Sequence, residues 1–277
     1  MIEASLQVTR VEPPRGWAQL RLREVFEYRE LAAFLVWRDI KVRYKQTAFG
    51  VAWAVIQPVM AMVLFTIVFG RIAQLPSDGV PYPIFTFAAL LPWQVFAASL
   101  VGSANSLVGS AGLLTKVYFP RLIVPLAASL ATLVDFLVSF AVMGVLMAYY
   151  HVAPSPAIVA LPLFLGLALT TSLGVGLWFA ALNVKYRDVQ YVLPFTMQLW
   201  LFASPVAYSA SLIHSPLGRA IYSLNPMAGV IQGFRWALLG GPAPGALIWA
   251  SVGVAVALLA SGLFFFKRME DTFADVI

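Results

Sequence analysis

Residues 122–149 read LIVPLAASLATLVDFLVSFAVMGVLMAY, and Asp135 is the one ionisable side chain among these 28 residues. A helical crossing of a bilayer takes ~20 apolar residues, so this stretch is long enough to span. Working outward, similar stretches occupy roughly 51–70, 83–107, 157–182, 191–208 and 247–266. Prolines interrupt several of them: Pro58 in the first, Pro92 in the second, Pro194 and Pro205 in the fifth. Helices in lipid tolerate such breaks because neighbouring groups satisfy the freed backbone. These stretches are long and continuous rather than alternating over ~10 residues, which disfavours a transmembrane barrel.

The whole composition agrees. Of 277 residues, 61% are hydrophobic and 11% charged, against about 45–50% and about 25% in an ordinary soluble domain. A soluble fold has too few charges here to cover its surface. The chain therefore reads as an all-α integral membrane protein with six transmembrane helices. Six crossings consume ~120 residues, which leaves no room for a large soluble catalytic domain. There is no cysteine, so disulfide frameworks and thiolate metal sites are excluded, and the two histidines, His151 and His214, make a poor imidazole site.

Before the first crossing the chain changes character twice. Residues 1–20 hold Pro13, Pro14 and Gly16 and read as an irregular tail. No apolar core of signal-peptide kind occurs in residues 1–50. Over 21–46, Leu22, Phe26, Ala33, Trp37, Ile40 and Tyr44 recur at steps of three, four or seven. Arg21, Arg23, Arg29, Arg38, Lys41, Arg43 and Lys45 fill much of the rest. That pattern predicts an amphipathic helix with a basic face, lying in the membrane interface or packed on a soluble partner. Residues 47–277 form the transmembrane domain. Between the fifth and sixth crossings, Pro216, Pro226, Pro242 and Pro244 break a stretch too apolar for a free loop, and short re-entrant helices fit it.

Charge sets the orientation. With the N-terminus in the cytoplasm, 15 of the 18 Lys/Arg fall on the cytoplasmic side, and only Arg71, Arg219 and Arg235 fall outside it. The positive-inside rule thus places both termini in the cytoplasm. The basic residues flank spans and build no separate basic domain, so the +6 net charge is orientation rather than nucleic-acid binding.

The chemical inventory is thin. There is no G-x-x-x-x-G-K-[ST] and no Gly-Lys dipeptide, so the chain does not hydrolyse ATP by that route. H-E-x-x-H and G-x-S-x-G are also missing. Asp135 is a functional candidate because a carboxylate in lipid is costly. Alternatively it sits near a helix end or bonds to a neighbouring hydroxyl. Trp53, Phe65, Phe96, Trp200 and Phe202 lie mid-span. They either pack in core or lipid, or line a pore whose weak ring contacts let a sugar chain slide. Ser99, Gly102, Ser103, Ser106 and Ser110 make a small-residue stripe that favours close helix packing. The cytoplasmic loop 108–121 carries Leu113, Leu114, Tyr118 and Phe119. It either meets a partner surface or dips into lipid.

Four segments then carry a resemblance. Residues 38–59 (RDIKVRYKQTAFGVAWAVIQPV), 113–125 (LLTKVYFPRLIVP), 183–208 (NVKYRDVQYVLPFTMQLWLFASPVAY) and 225–235 (NPMAGVIQGFR) occur in an order that resembles ABC-2 type polysaccharide exporter permeases, the O-antigen, teichoic acid and capsule permeases. The resemblance implies a homodimer enclosing a channel, joined to two copies of a separate ATP-binding cassette subunit. That subunit would hold ATP and magnesium, and this chain would need no cofactor. A lipid-linked polysaccharide would leave through the bacterial inner membrane. Leu113, Leu114, Lys116, Tyr118 and Phe119 would touch the ATPase, Arg38, Lys41 and Arg43 would meet lipid headgroups at the lateral gate, and residues 209–240 would supply short outer gate helices. A permease for small lipids or drugs is the alternative. A polyprenol-dependent transferase is a further one, for which the acidic pairs, such as Glu270 with Asp271, lie in the C-terminal tail.

Overall fold

A computed structural model describes residues 22–45, 50, 52–213, 215–246, 248–270 and 273. The expected tail over 1–20, Arg21, His214 and Asp271 lie outside the described residues, as do the side chains of Leu22 and Arg23. All regular secondary structure among the described residues is helical. The predicted interfacial helix is two helices, α1 (Leu22–Glu27) and α2 (Arg29–Lys45), separated by a turn at Tyr28. Next come α3 (Ala52–Phe65), prolonged by a π-helical stretch over Thr66–Ile72, and α4 (Tyr82–Gly109). The single turn α5 (Ala111–Leu114) leads to α6 (Ile123–Tyr149). A 3₁₀ turn over Pro156–Ala160 runs into α7 (Leu161–Lys185), followed by α8 (Val189–Ala203). Two short helices, α9 (Pro216–Ser223) and α10 (Pro226–Leu239), precede α11 (Ile248–Met269).

Among the described residues, five helices are long and apolar enough to cross a membrane: Ala52–Ile72, α4, α6, Pro156–Lys185 and α11. The fifth expected crossing is α8, whose 15 residues reach about 22 Å. It stops before Pro205 because proline forces the preceding residue out of the helical region. Ser204 is accordingly extended, with ψ of 149°.

Helix α4 is the hub, packed against α3, α6, α7 and α10. Phe87, Phe96 and Leu100 along it have no exposed surface. The small-residue stripe is the reason neighbours come so close. Ser99 pairs with Ser172 of α7 at 2.8 Å, and Ser103 pairs with Ser129 of α6 at 2.7 Å. A β-carbon on Gly176 would lie 2.7 Å from the Ser103 side chain. At the crossing of α7 and α11, a β-carbon on Gly262 would lie 2.2 Å from the Gly174 carbonyl oxygen, so these backbones touch directly.

A second apolar cluster closes one end of the bundle. It joins Leu35 of α2 to Leu107, Phe119, Ile123, Val184, Phe266 and Phe273. The segments around it carry most of the cations, which makes this the basic end of the bundle. The opposite end holds residues 204–246.

Candidate functional site

The basic end is built on α2. Its inner face, with Leu31, Ala32, Leu35 and Val36, packs into the second cluster. On another face Phe34 and Trp37 remain 64% and 57% exposed, as does Phe26 of α1 at 69%. The helix therefore has two apolar faces, one for protein and one free for lipid, rather than the single stripe read from spacing. The three cations expected to act together are spread around it. Arg38 donates to Asp39 at 3.0 Å and to Ser110 of the following bundle at 3.3 Å. Lys41 lies over the Trp37 ring at 5.3 Å. Arg43 faces α6.

There the structure brings together two residues that the sequence treats separately. Asp135 accepts from the Arg43 guanidinium and from the Tyr44 hydroxyl. It stands twelve residues into α6, about 18 Å along the axis. A lone carboxylate at that depth is costly, and a guanidinium partner offsets the cost. The pair keeps access to its surroundings, with 37% of the arginine and 27% of the aspartate side chain exposed. It also ties the basic helix to the third long span.

Next to α2, the connection from α5 to α6 offers a surface. Tyr118 is 84% exposed and Lys116 is exposed beside it. Residues from Leu114 to Phe119, with Arg121, line a hollow of about 240 Å³. Leu113 and Leu114 are half-buried against the cluster. Phe119, expected at the surface with its neighbour, is 4% exposed instead. Tyr118 and Phe119 thus divide between solvent and core, and Phe119 anchors the loop that displays Tyr118.

The mid-span aromatics divide the same way. Phe96 is fully buried, in edge contact with Trp200 at 4.8 Å, so within this chain it is core. Trp53 and Phe202 are 52% and 56% exposed, while Phe65 and Trp200 are half-buried. Trp200 also donates its indole N–H to Asn225 at 3.0 Å. Asn225 caps α10 through the Met227 amide and donates to Ser204, locking the end of α8 to the start of α10.

Sequence reasoning missed Arg235, although it was one of three cations off the basic side. Its Nε, Nη1 and Nη2 donate to the carbonyls of Phe85, Tyr208 and Val206 at 3.4, 3.1 and 3.0 Å. Its guanidinium lies 3.5 Å from the centre of the Phe85 ring. Burial draws its pKa down to about 10, and nearby phenols and Asp78 work against that fall. It stays charged at neutral pH and staples α10 to α4 and to the turns after α8. The signal available in the sequence was an isolated arginine within an apolar helix, which requires a cage of acceptors.

Together these features define a helical membrane protein with a cation-rich end, a small hollow beside Tyr118 there and a cap of short helices at the other end. The chain belongs to the family described as ABC-2 type transporter, which matches residues 30–239. It is 31% identical to the O-antigen export system permease protein RfbA of Myxococcus xanthus, over 92% of this chain and 98% of that protein. An RfbA of Klebsiella pneumoniae is 27% identical over 90% and 95% of the two chains. The polysialic acid transport protein KpsM of Escherichia coli is 27% identical over 80% and 84%.

Proposed function

We propose that this chain is the permease subunit of an ABC exporter that carries a lipid-linked polysaccharide, of O-antigen or capsular kind, across the bacterial inner membrane. The observation that carries the reading is likeness along nearly the whole length of export permeases, 98% of the Myxococcus protein. The chain is a transport subunit and conduit. Its sequence has no phosphate-cradling loop, so a separate ATP-binding cassette subunit drives it. Two copies of each make the exporter, and the permease pair encloses the channel.

In this reading α8 is the sixth crossing and both termini are cytoplasmic, as the cation bias favours. Lys116, Tyr118 and the flanking leucines meet the ATPase, with Phe119 holding their loop in place. Arg38, Lys41 and Arg43 attract the phosphates of the lipid carrier, at about 1 kcal/mol per cation near the surface. Trp53, Phe65, Trp200 and Phe202 are the channel-wall candidates, and α9 and α10 act as the outer gate.

The test is genetic and then biochemical. Cells lacking the chain should lose surface glycan while lipid-linked polymer accumulates inside. Restoring the chain with charge reversals at Arg38, Lys41 and Arg43 should leave membrane insertion intact and lower export about tenfold or more. The purified permease with its ATPase should be stimulated by the glycolipid and not by small amphiphiles. Stimulation by small amphiphiles alone would favour a drug or lipid carrier.

A further inference from the structure

The cap opposite the basic end encloses a cavity of about 530 Å³ between α9, one face of α10 and the chain segments around Asp78 and Ser209. That volume lies within the range of small-ligand sites. Gln232, Arg235 and Trp236, spaced by three and four residues, line it from α10, and Tyr222 lines it from α9.

Its polar groups sort into two kinds. Some are already engaged and rigid. Arg235 is held by three carbonyls, which leaves two of its five N–H groups for something else. Asp78 accepts from Ser209 at 2.6 Å and Ser211 at 3.3 Å. Others are free. Among the described residues the Tyr222 hydroxyl is buried and has no hydrogen-bond partner. Burial pushes its phenol up, so it remains a donor. The Gln232 amide is half-buried and likewise makes no hydrogen bond among the described residues. A buried hydroxyl left unpaired is costly, and such groups in native structures have a partner to find.

The combination selects a chemistry. A simple anion would not suit a wall that includes Asp78. A metal cation would not sit beside Arg219 and Arg235. An acyl chain would leave the Tyr222 and Gln232 groups unsatisfied. A sugar meets all of them, because each hydroxyl both donates and accepts, and its C–H face packs on an aromatic ring such as that of Trp236. We propose that this cavity is a sugar-binding subsite that takes a short stretch of glycan on the outer side of the membrane. The glycan source rests on the polysaccharide-export reading above, while the pocket itself rests on its lining.

The test uses the full chain in lipid nanodiscs and, as probe, short oligosaccharides released by mild acid from the host's own surface polysaccharide. Calorimetric titration should show saturable binding. Tyr222→Phe and Gln232→Ala should each weaken it about three- to tenfold, the scale of one lost hydrogen bond. Gly245→Phe should abolish it. Gly245 lines the cavity and a β-carbon there meets open space, so the new ring fills the site without displacing α10. Thermal melts of each variant confirm the fold. No binding by the wild type, equal binding by Gly245→Phe, or displacement of the probe by a fatty acid at matched concentration would each overturn the subsite. Surface-glycan export in the same cells separates the two claims. Export that depends on the chain while the probe fails to bind removes the subsite alone, whereas export independent of the chain removes the exporter reading.

Discussion

Helices α3 and α4 are both apolar enough to cross a membrane, yet they live in different surroundings. In the most apolar window of α3 and its π-helical extension, 11% of residues are buried, against 78% for α4. Hydropathy reports transfer out of water, and lipid tails and protein interior are equally apolar, so it does not separate the two. Small residues and hydroxyls do. Helix α4 carries Ser99, Gly102, Ser103 and Ala104, which let α6 and α7 approach and pair across the contact. Helix α3 presents Trp53, Met60, Val63 and Leu64 outward, and the Ser139 hydroxyl of α6 donates to its Ala54 carbonyl at 3.0 Å. A helix of bulky side chains leaves its face for lipid, for a channel or for a second copy.

That contrast can be broken most sharply with charge. Leu100 of α4 is fully buried and Leu64 of α3 is 57% exposed. Leu100→Lys leaves an unpaired buried charge, which costs on the order of 5 kcal/mol, and should yield no monodisperse protein in size-exclusion chromatography. Leu64→Lys, on the Trp53 side of α3, should be tolerated within about 1 kcal/mol if that face lines a watery channel. A cost of about 3 kcal/mol in an insertion assay would put the face in lipid instead. Truncation gives the next effect. Phe96→Ala should cost about 3–4 kcal/mol in chemical unfolding, while Trp53→Ala in the same assay should cost less than about 1 kcal/mol.

Smaller effects sharpen the picture between the helices. Asp135→Asn strands the Arg43 guanidinium. Because the pair is partly accessible, its loss should cost about 1–2 kcal/mol rather than the larger figure for a sealed pair. The double variant Arg43→Gln with Asp135→Asn should recover much of that in the same melt, and equal melting of single and double variants would count against a coupled pair. Ser99→Ala removes the hydroxyl pair with Ser172, which keeps its bond to the Leu169 carbonyl, and should cost about 1 kcal/mol or less.

Much of this is legible in the sequence. The expected crossings 83–107, 122–149 and 157–182 match helical Tyr82–Gly109, Ile123–Tyr149 and Pro156–Lys185 closely. An uninterrupted apolar run is a one-dimensional signal, and a helix satisfies its own backbone, so such elements are set locally. The burial of Phe119 is not legible there, because it depends on which neighbours the side chain meets, whereas the turn at Tyr28 and the stop of α8 at Ala203 shift element ends, the latter for the local reason that Pro205 follows.

The amino-acid order alone thus determined that the chain is helical, that it belongs in a membrane and how its cations are biased, since each follows from runs of adjacent residues. Only the folded bundle decided which apolar faces are core. It alone set Arg43 against Asp135 across 92 positions and caged Arg235 with a carbonyl 150 positions away. Bulk hydropathy is the same for lipid and for protein, so the choice between them rests on shape and on hydrogen-bond partners that are distant in the chain.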